Sequence, residues 1–248
     1  MKIYDTVLIH SGYLSLGYAK TRVNSLIIEE REFMDSSFCL SLRTFKKSEY
    51  APKSEAGAQL LSLMHKLDVI CDGMMNTSAL ESVICEYALS SGVEVLLRTR
   101  VLSVAKEGGI YTLRIINGGG IQTVKARKIL DTGATISEKS LTLLFTTDTP
   151  EADVATILDL FPTATLERAF YPGRYALHVP VDSVSDSYRV RSEIYDKWLS
   201  RPHNACLLYV TEILSGASSD TALTSDACFS DPIAAFDRGV ALAKGEAF

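Results

Sequence analysis

Residues 1–30 do most to restrict what this chain can fold into. They hold an apolar run, a turn with one glycine, a short helical stretch and a second apolar run that ends in acid. The first run is residues 4–9, the turn is His10-Ser11-Gly12-Tyr13-Leu14-Ser15, and the second run is Leu26-Ile27-Ile28 before Glu29-Glu30. Two buried runs joined by a helix read as a β-α-β start. The turn keeps only the middle glycine, Gly12, of the pattern G-x-G-x-x-G. In the intact pattern the first glycine makes the tight turn, the second lets backbone approach a pyrophosphate, and the third allows close helix–strand packing. His10 must therefore adopt a turn that glycine takes without strain. Ser15 is the milder change, being small enough to lie near a strand. The interval from Ser15 to Glu29 is about one helical turn short of the usual motif, whose acid lies roughly 20 positions on.

Residues 79–133 add a second block. Leu80, Val83, Ile84, Tyr87 and Ala88 fall on one helical face, and Ser90-Ser91-Gly92 stops the helix. Residues 93–97 read as a mostly buried strand, and residues 98–104 continue with apolar positions alternating. Glu107-Gly108-Gly109 and Asn117-Gly118-Gly119-Gly120 are turns that bracket residues 110–116, and with residues 121–124 they predict a small antiparallel meander. Residues 126–133 then read as a parallel-type strand ending in Thr132-Gly133.

With these residues in view, the chain resembles the FAD-dependent oxidoreductases of the glutathione-reductase-like, two-dinucleotide-binding-domain superfamily. Members carry a "G-V-E-V-L-L…T-R-V" strand pair, a β-meander and a "K-V-I-D-A-T-G" strand. Here Gly92-Val93-Glu94-Val95-Leu96-Leu97, Thr99-Arg100-Val101 and Lys128-Ile129-Leu130-Asp131-Thr132-Gly133 occur in the same order. The resemblance implies that Gly12, with Tyr13 and Ser15 beside it, approaches the FAD pyrophosphate and that Glu29 bonds the adenosine ribose, with Glu30 the alternative if the register slips. It further implies that Val101 presents its main chain to adenine and that Thr132 and Gly133 lie beside the dinucleotide. Residues 229–236 look like the family's last cofactor-binding turn and helix, with Asp231 before Pro232 at its start. The usual glycine-aspartate pair before that helix is replaced, Ser225-Asp226 being the nearest equivalent.

Each residue also has a plainer reading. Glu29 and Glu30 fit solvated charges at a strand end, Asp231 fits a helix N-cap, and Val101 fits a core strand position.

The fold class is thus α/β: a Rossmann-like FAD-binding domain with a β-meander, over 1–138 and 216–248, plus a smaller α+β substrate domain over 139–215. The latter reads β-α-β-β-α-β, with strands at 141–146, 165–170, 175–181 and 206–210 and helices at 151–161 and 188–198. In relatives the equivalent domain stands over the isoalloxazine ring. Between the blocks, residues 43–53 are a polar, basic loop and residues 56–67 a helix with Leu60, Leu63, Met64 and Leu67 on one face.

Net charge of −5, with 25 basic residues scattered along the chain, argues against a nucleic-acid footprint. The five cysteines are widely separated with no C-x-x-C pair, which argues against metal and disulfide frameworks. Lys2 and Asp5 lead directly into a strand, and no run of 18 apolar residues occurs, so no membrane segment and a cytoplasmic setting are expected.

Catalytic residues are not legible. Tyr171, Arg174 and His178 cluster around one turn and strand and suit an anionic substrate, although His178 fits a structurally satisfied strand position better. Cys228, just ahead of the last helix, could gain thiolate character there but reads more simply as a small buried residue. The leading expectation is an FAD-dependent oxidoreductase acting on a small organic substrate. The alternative is a non-catalytic subunit of the same fold that has lost FAD and serves as a binding or assembly partner, and NAD in the same site is a weaker third option. Relatives commonly run longer, which suggests a partner subunit covering the cofactor cleft.

Overall fold

The computed structural model describes residues 2–34, 36–42, 50–133, 139–181, 187–211, 226 and 229–246. Strand β1 (Ile3–Ile9) sends Val7 to one face of a central sheet and Leu8 to the other, both fully buried. Helix α1 (Tyr13–Thr21) then returns the chain to β2 (Ser25–Ile28), which pairs in parallel with β1. At nine residues α1 is as short as the compressed motif requires. Every residue from Tyr13 to Ala19 is buried, which explains the absence of a polar stripe in its sequence.

Helix α2 (Glu55–Lys66) leads through a small hairpin, β3 (Ile70–Cys71) and β4 (Met74–Met75), to α3 (Leu80–Ser91) and β5 (Glu94–Leu96). Ser54 caps α2 by accepting from Gly57 N at 2.9 Å. Gly92, left-handed at φ 67°, ends α3, as the Ser-Ser-Gly stop predicts. β5 pairs in parallel with β2.

The meander consists of β6 (Arg100–Glu107), β7 (Ile110–Asn117) and β8 (Gly120–Asp131). The sequence reading divides residues 121–133 into a meander strand and a separate parallel strand, whereas the structure has one strand of 12 residues. Only Lys125 separates the two expected pieces, and it is no turn former. β8 pairs antiparallel with β7 along its first half and in parallel with β1 along its second, and Lys125 and Ala126 belong to both ladders. The sheet order is β5-β2-β1-β8-β7-β6.

Both faces of this sheet are covered. On one, α1, α2, α3 and the final helix α6 (Pro232–Lys244) pack over Leu8 and Ile27. On the other, Leu113, Ile115 and Ala126 of the meander meet Val7, Leu26 and Ile28. Strands buried on both faces are apolar without alternation, which is the pattern of residues 26–28.

Helices α1 and α6 cross with their backbones in contact. A Cβ on Gly17 would overlap the Phe236 carbonyl oxygen and stand 2.9 Å from its carbon. One on Gly239 would overlap the Leu14 carbonyl oxygen and stand 2.8 Å from Tyr18 N. Arg22 Nε donates to the Ala243 carbonyl at 2.6 Å, tying the far ends of the two helices.

The remaining elements are β9 (Lys139–Thr146), α4 (Pro150–Leu160), β10 (Thr165–Arg168), β11 (Arg174–Val181), α5 (Ser187–Trp198) and β12 (Cys206–Val210). They follow the β-α-β-β-α-β order read from the sequence. Their four strands form an antiparallel sheet, β10-β11-β9-β12. Leu141, Leu143, Phe145, Leu177 and Val179 pack on Ile157 and Phe161 and on Val190, Ile194 and Trp198. Leu144 and Ala176, on the opposite face, meet Ala169, Leu42 and Met74.

Candidate functional site

In an open α/β sheet the crevice at the carboxyl ends of the parallel strands is where ligands bind. Here the ends of β1, β2 and β8 bring together His10, Ser11, Gly12, Glu29, Thr132 and Gly133. His10 adopts φ 71°, the left-handed turn that its position demands, and its Nδ1 lies 3.0 Å from Asp131 Oδ1. Gly133 lies against that imidazole, since a Cβ there would stand 2.5 Å from His10 Nδ1. Ser15, buried, uses its hydroxyl on the His10 carbonyl at 2.8 Å and lies 2.9 Å from Thr132 Oγ1. Thr132 Oγ1 in turn reaches the Ile9 and His10 carbonyls at 2.8 Å. The serine that replaces the third glycine therefore fastens the turn to the end of β8.

Glu29 is the buried acid of the pair at the end of β2. Its Oε2 accepts from Ser11 N at 2.8 Å and Ser11 Oγ at 2.7 Å, and its Oε1 accepts from Arg31 N at 2.9 Å. A carboxylate offers about four acceptor sites, so one is left for a ligand hydroxyl. Glu30 is exposed and lies 3.3 Å from Arg100 Nε. The alternative register therefore places its acid in solvent. Thr99 N donates to the Glu29 carbonyl at 2.9 Å just before β6, and half-buried Val101 follows two residues along the chain.

Tyr13 contributes its amide to the turn and nothing of its ring. The ring is fully buried, edge-on to Phe38 at 5.9 Å, with its hydroxyl donating to the Leu80 carbonyl at 2.8 Å. The amide is engaged too: Tyr13 N donates to Asp226 Oδ2 at 2.7 Å and Leu14 N to Asp226 Oδ1 at 2.8 Å. Asp226 is buried, and a Cβ on Gly12 would overlap its carboxylate. Sequence reasoning reached Asp226 only as a substitute for the family's aspartate and missed this contact, because 212 residues separate it from Leu14. Asp231 stands at the start of the last helix. It is the N-cap of α6, with Oδ1 accepting from Ile233 N at 2.8 Å and Ala234 N at 3.2 Å.

An FAD fits this arrangement at its ribose end. At its diphosphate end it fits only once the Asp226 carboxylate gives up the two amides.

On the second sheet, Tyr171, Arg174 and His178 do not form one constellation. Arg174 lies over the exposed Tyr171 ring at 4.6 Å, at the end of the β10–β11 hairpin. His178 stands four residues along β11, about 13 Å away at the rise of a strand. It is bonded through Nδ1 to Thr142 Oγ1 at 2.8 Å, with Nε2 at 3.9 Å from Glu167 Oε2. Cys228 and Ser225, and residues 43–49 of the basic loop, lie outside the described residues. Among the described residues no group of three His, Cys, Asp or Glu is arranged to hold a metal ion, and no helix is long and apolar enough to cross a membrane.

No family model and no curated protein matches the chain. Solved structures do. The p-nitrophenol 4-monooxygenase of Pseudomonas putida shares 13% identity at a TM-score of 0.56, over 88% of this chain and 69% of that one. Aklavinone-11 hydroxylase, solved as a ternary complex with FAD and aklavinone, shares 13% at 0.55, over 98% and 62%. BexE, studied for oxidation during BE-7585A biosynthesis, shares 9% at 0.59, over 100% and 64%. The chain thus spans 62% to 69% of the length of these three. The likeness establishes the fold, a Rossmann-like α/β sheet with an added antiparallel unit. It extends to a monooxygenase and a hydroxylase, and so does not single out the glutathione-reductase-like branch.

Proposed function

We propose that this chain is an FAD-dependent oxidoreductase acting on a small organic substrate. The observation that carries the reading is the convergence of Gly12, the buried Glu29 and Thr132-Gly133 at the carboxyl ends of adjacent parallel strands, where such folds bind nucleotides. That the same fold occurs in a hydroxylase solved with FAD supports it. FAD when bound supplies the redox chemistry. The residues of the chain bind and orient: Glu29 holds a ribose hydroxyl, the main chain near Val101 borders adenine, and Gly12 gives the diphosphate its close approach. Residues 1–138 with 216–248 are the cofactor domain, and residues 139–215 are the substrate domain. Arg174 with Tyr171 suits an anionic group on the substrate. Kinship with the glutathione-reductase-like branch, a cytoplasmic setting and a partner subunit over the cleft belong to the same reading. The purified protein is expected to be yellow, with flavin absorption near ~450 nm, or to become so when reconstituted with FAD. A colourless preparation that takes up no FAD overturns the reading. It would favour the second one, a cofactor-free binding or assembly subunit, to which the position of Asp226 lends weight.

A further inference from the structure

We infer that Asp226 is a built-in occupant of the diphosphate seat, so that this carboxylate and a dinucleotide exclude one another. The inference rests on the reading that the start of α1 is that seat.

The first amides of a helix lack intrahelical partners and carry its positive end, so they attract an anion. The position before α1 is Gly12, which has no side chain with which to cap them. Asp226 supplies the missing anion, its two oxygens taking the consecutive amides of Tyr13 and Leu14 at 2.7 and 2.8 Å. The absent Cβ that lets a phosphate approach backbone at Gly12 lets this carboxylate in: its Cγ would stand 2.8 Å from a Cβ there. At 4% exposure the carboxylate is sealed in place and does not lie across an open groove. The other positive helix end in the region, that of α6, is met in the same way by Asp231. A diphosphate entering this seat would have to displace the Asp226 carboxylate from both amides, against like-charge repulsion.

The test is a titration of the full chain and of Asp226→Asn and Asp226→Ala with two ligands: FAD, by quenching of its fluorescence, and inorganic pyrophosphate, by calorimetry. Asparagine keeps an acceptor for α1 and removes the charge, so the test stands even if the alanine variant does not fold. Hydrogen bonds to a charged group account for a factor of about 10 or more in an equilibrium. Both ligands are therefore expected to bind the asparagine variant at least ~10-fold more tightly than the unaltered chain. Equal or weaker binding by a folded variant overturns the inference, as does a lack of pyrophosphate binding by every form. If FAD binds the unaltered chain as tightly as the variants, the inference fails and the flavin reading stands. If pyrophosphate alone binds, and only to the variants, the inference stands and the flavin reading fails.

Discussion

Gly17→Ala tests whether the α1–α6 crossing holds this fold together. The new methyl group would overlap the Phe236 carbonyl oxygen and lie 2.9 Å from the carbon behind it. These are backbone atoms in the first half of α6, so no rotamer change relieves the clash and the two helices must part. Overpacking a tight interior costs typically ~1–3 kcal/mol, and a rigid backbone neighbour puts this site at the upper end. Separating the helices by even ~0.5–1 Å forfeits a quarter to a half of each dispersion contact along the seam. Against this, alanine gains roughly 0.5–1 kcal/mol over glycine within a helix. The net expectation is a loss of about 2 kcal/mol, or about 4–8 °C in melting temperature for a chain of this size. Urea and thermal unfolding followed by circular dichroism measure it. Gly239→Ala, against Leu14, is expected to cost a similar amount. Because one parting of the helices relieves both clashes, the double variant should fall short of the sum by about 1 kcal/mol. A Gly17→Ala protein within ~0.5 kcal/mol of the unaltered chain, the range of ordinary surface substitutions, or strict additivity in the double variant, would refute the reasoning.

Other expectations concern the site and its surroundings. Glu29→Gln removes the charge that holds Ser11 and should lower stability by about 1–3 kcal/mol and, on the flavin reading, weaken FAD binding at least ~10-fold; unfolding and FAD titration measure the two effects. Asp231→Ala should lower stability by about 1 kcal/mol through loss of the α6 cap and leave dinucleotide affinity unchanged, so a drop in affinity by a stable variant would make Asp231 a ligand. The Tyr4 phenol is pushed up to about 12 by burial and by the hydrogen bond and charge of Glu94. Tyr50 is pushed up to about 12 by burial, by the charge and hydrogen bond of Asp237, and by the charge of Asp231. Folding favours the protonated form of both, so their contribution is full below the ordinary value of 10.0 and is lost as pH rises through about 12. Burial raises the Tyr87 phenol as well, so phenolate absorbance near ~295 nm should show at least three tyrosines ionising above the usual range, and titration of all tyrosines near 10 would count against the packing described.

Local chemistry made much of the fold legible in the sequence. Gly92 announced the end of α3, Pro232 the start of α6, and the unbroken apolarity of residues 26–28 a strand covered on both faces. What stayed hidden depends on contacts between residues distant in sequence. Gly17 and Gly239 carry no turn signature, and their role exists only where two helices meet. Asp226 lies on the far side of the second sheet in sequence, so no spacing rule connects it to Gly12. His10 was readable as a strained position, but its pairing with Asp131 required β8 to end beside β1. The choice between Glu29 and Glu30 turned on which side chain faces inward. Alternation alone could not settle that at the last residue of a strand.

The double role of β8 fixes how this architecture can vary. One ribbon of backbone bonds the meander at its beginning and the nucleotide-type half at its end, with Lys125 and Ala126 common to both. Inserting or deleting a single residue within it would invert the side chains of one partner relative to the other, turning buried positions toward water. Length changes are therefore confined to the hairpin tips around Gly108-Gly109 and Gly118-Gly119, which makes those two tips the natural places to graft a tag, a probe or a longer loop.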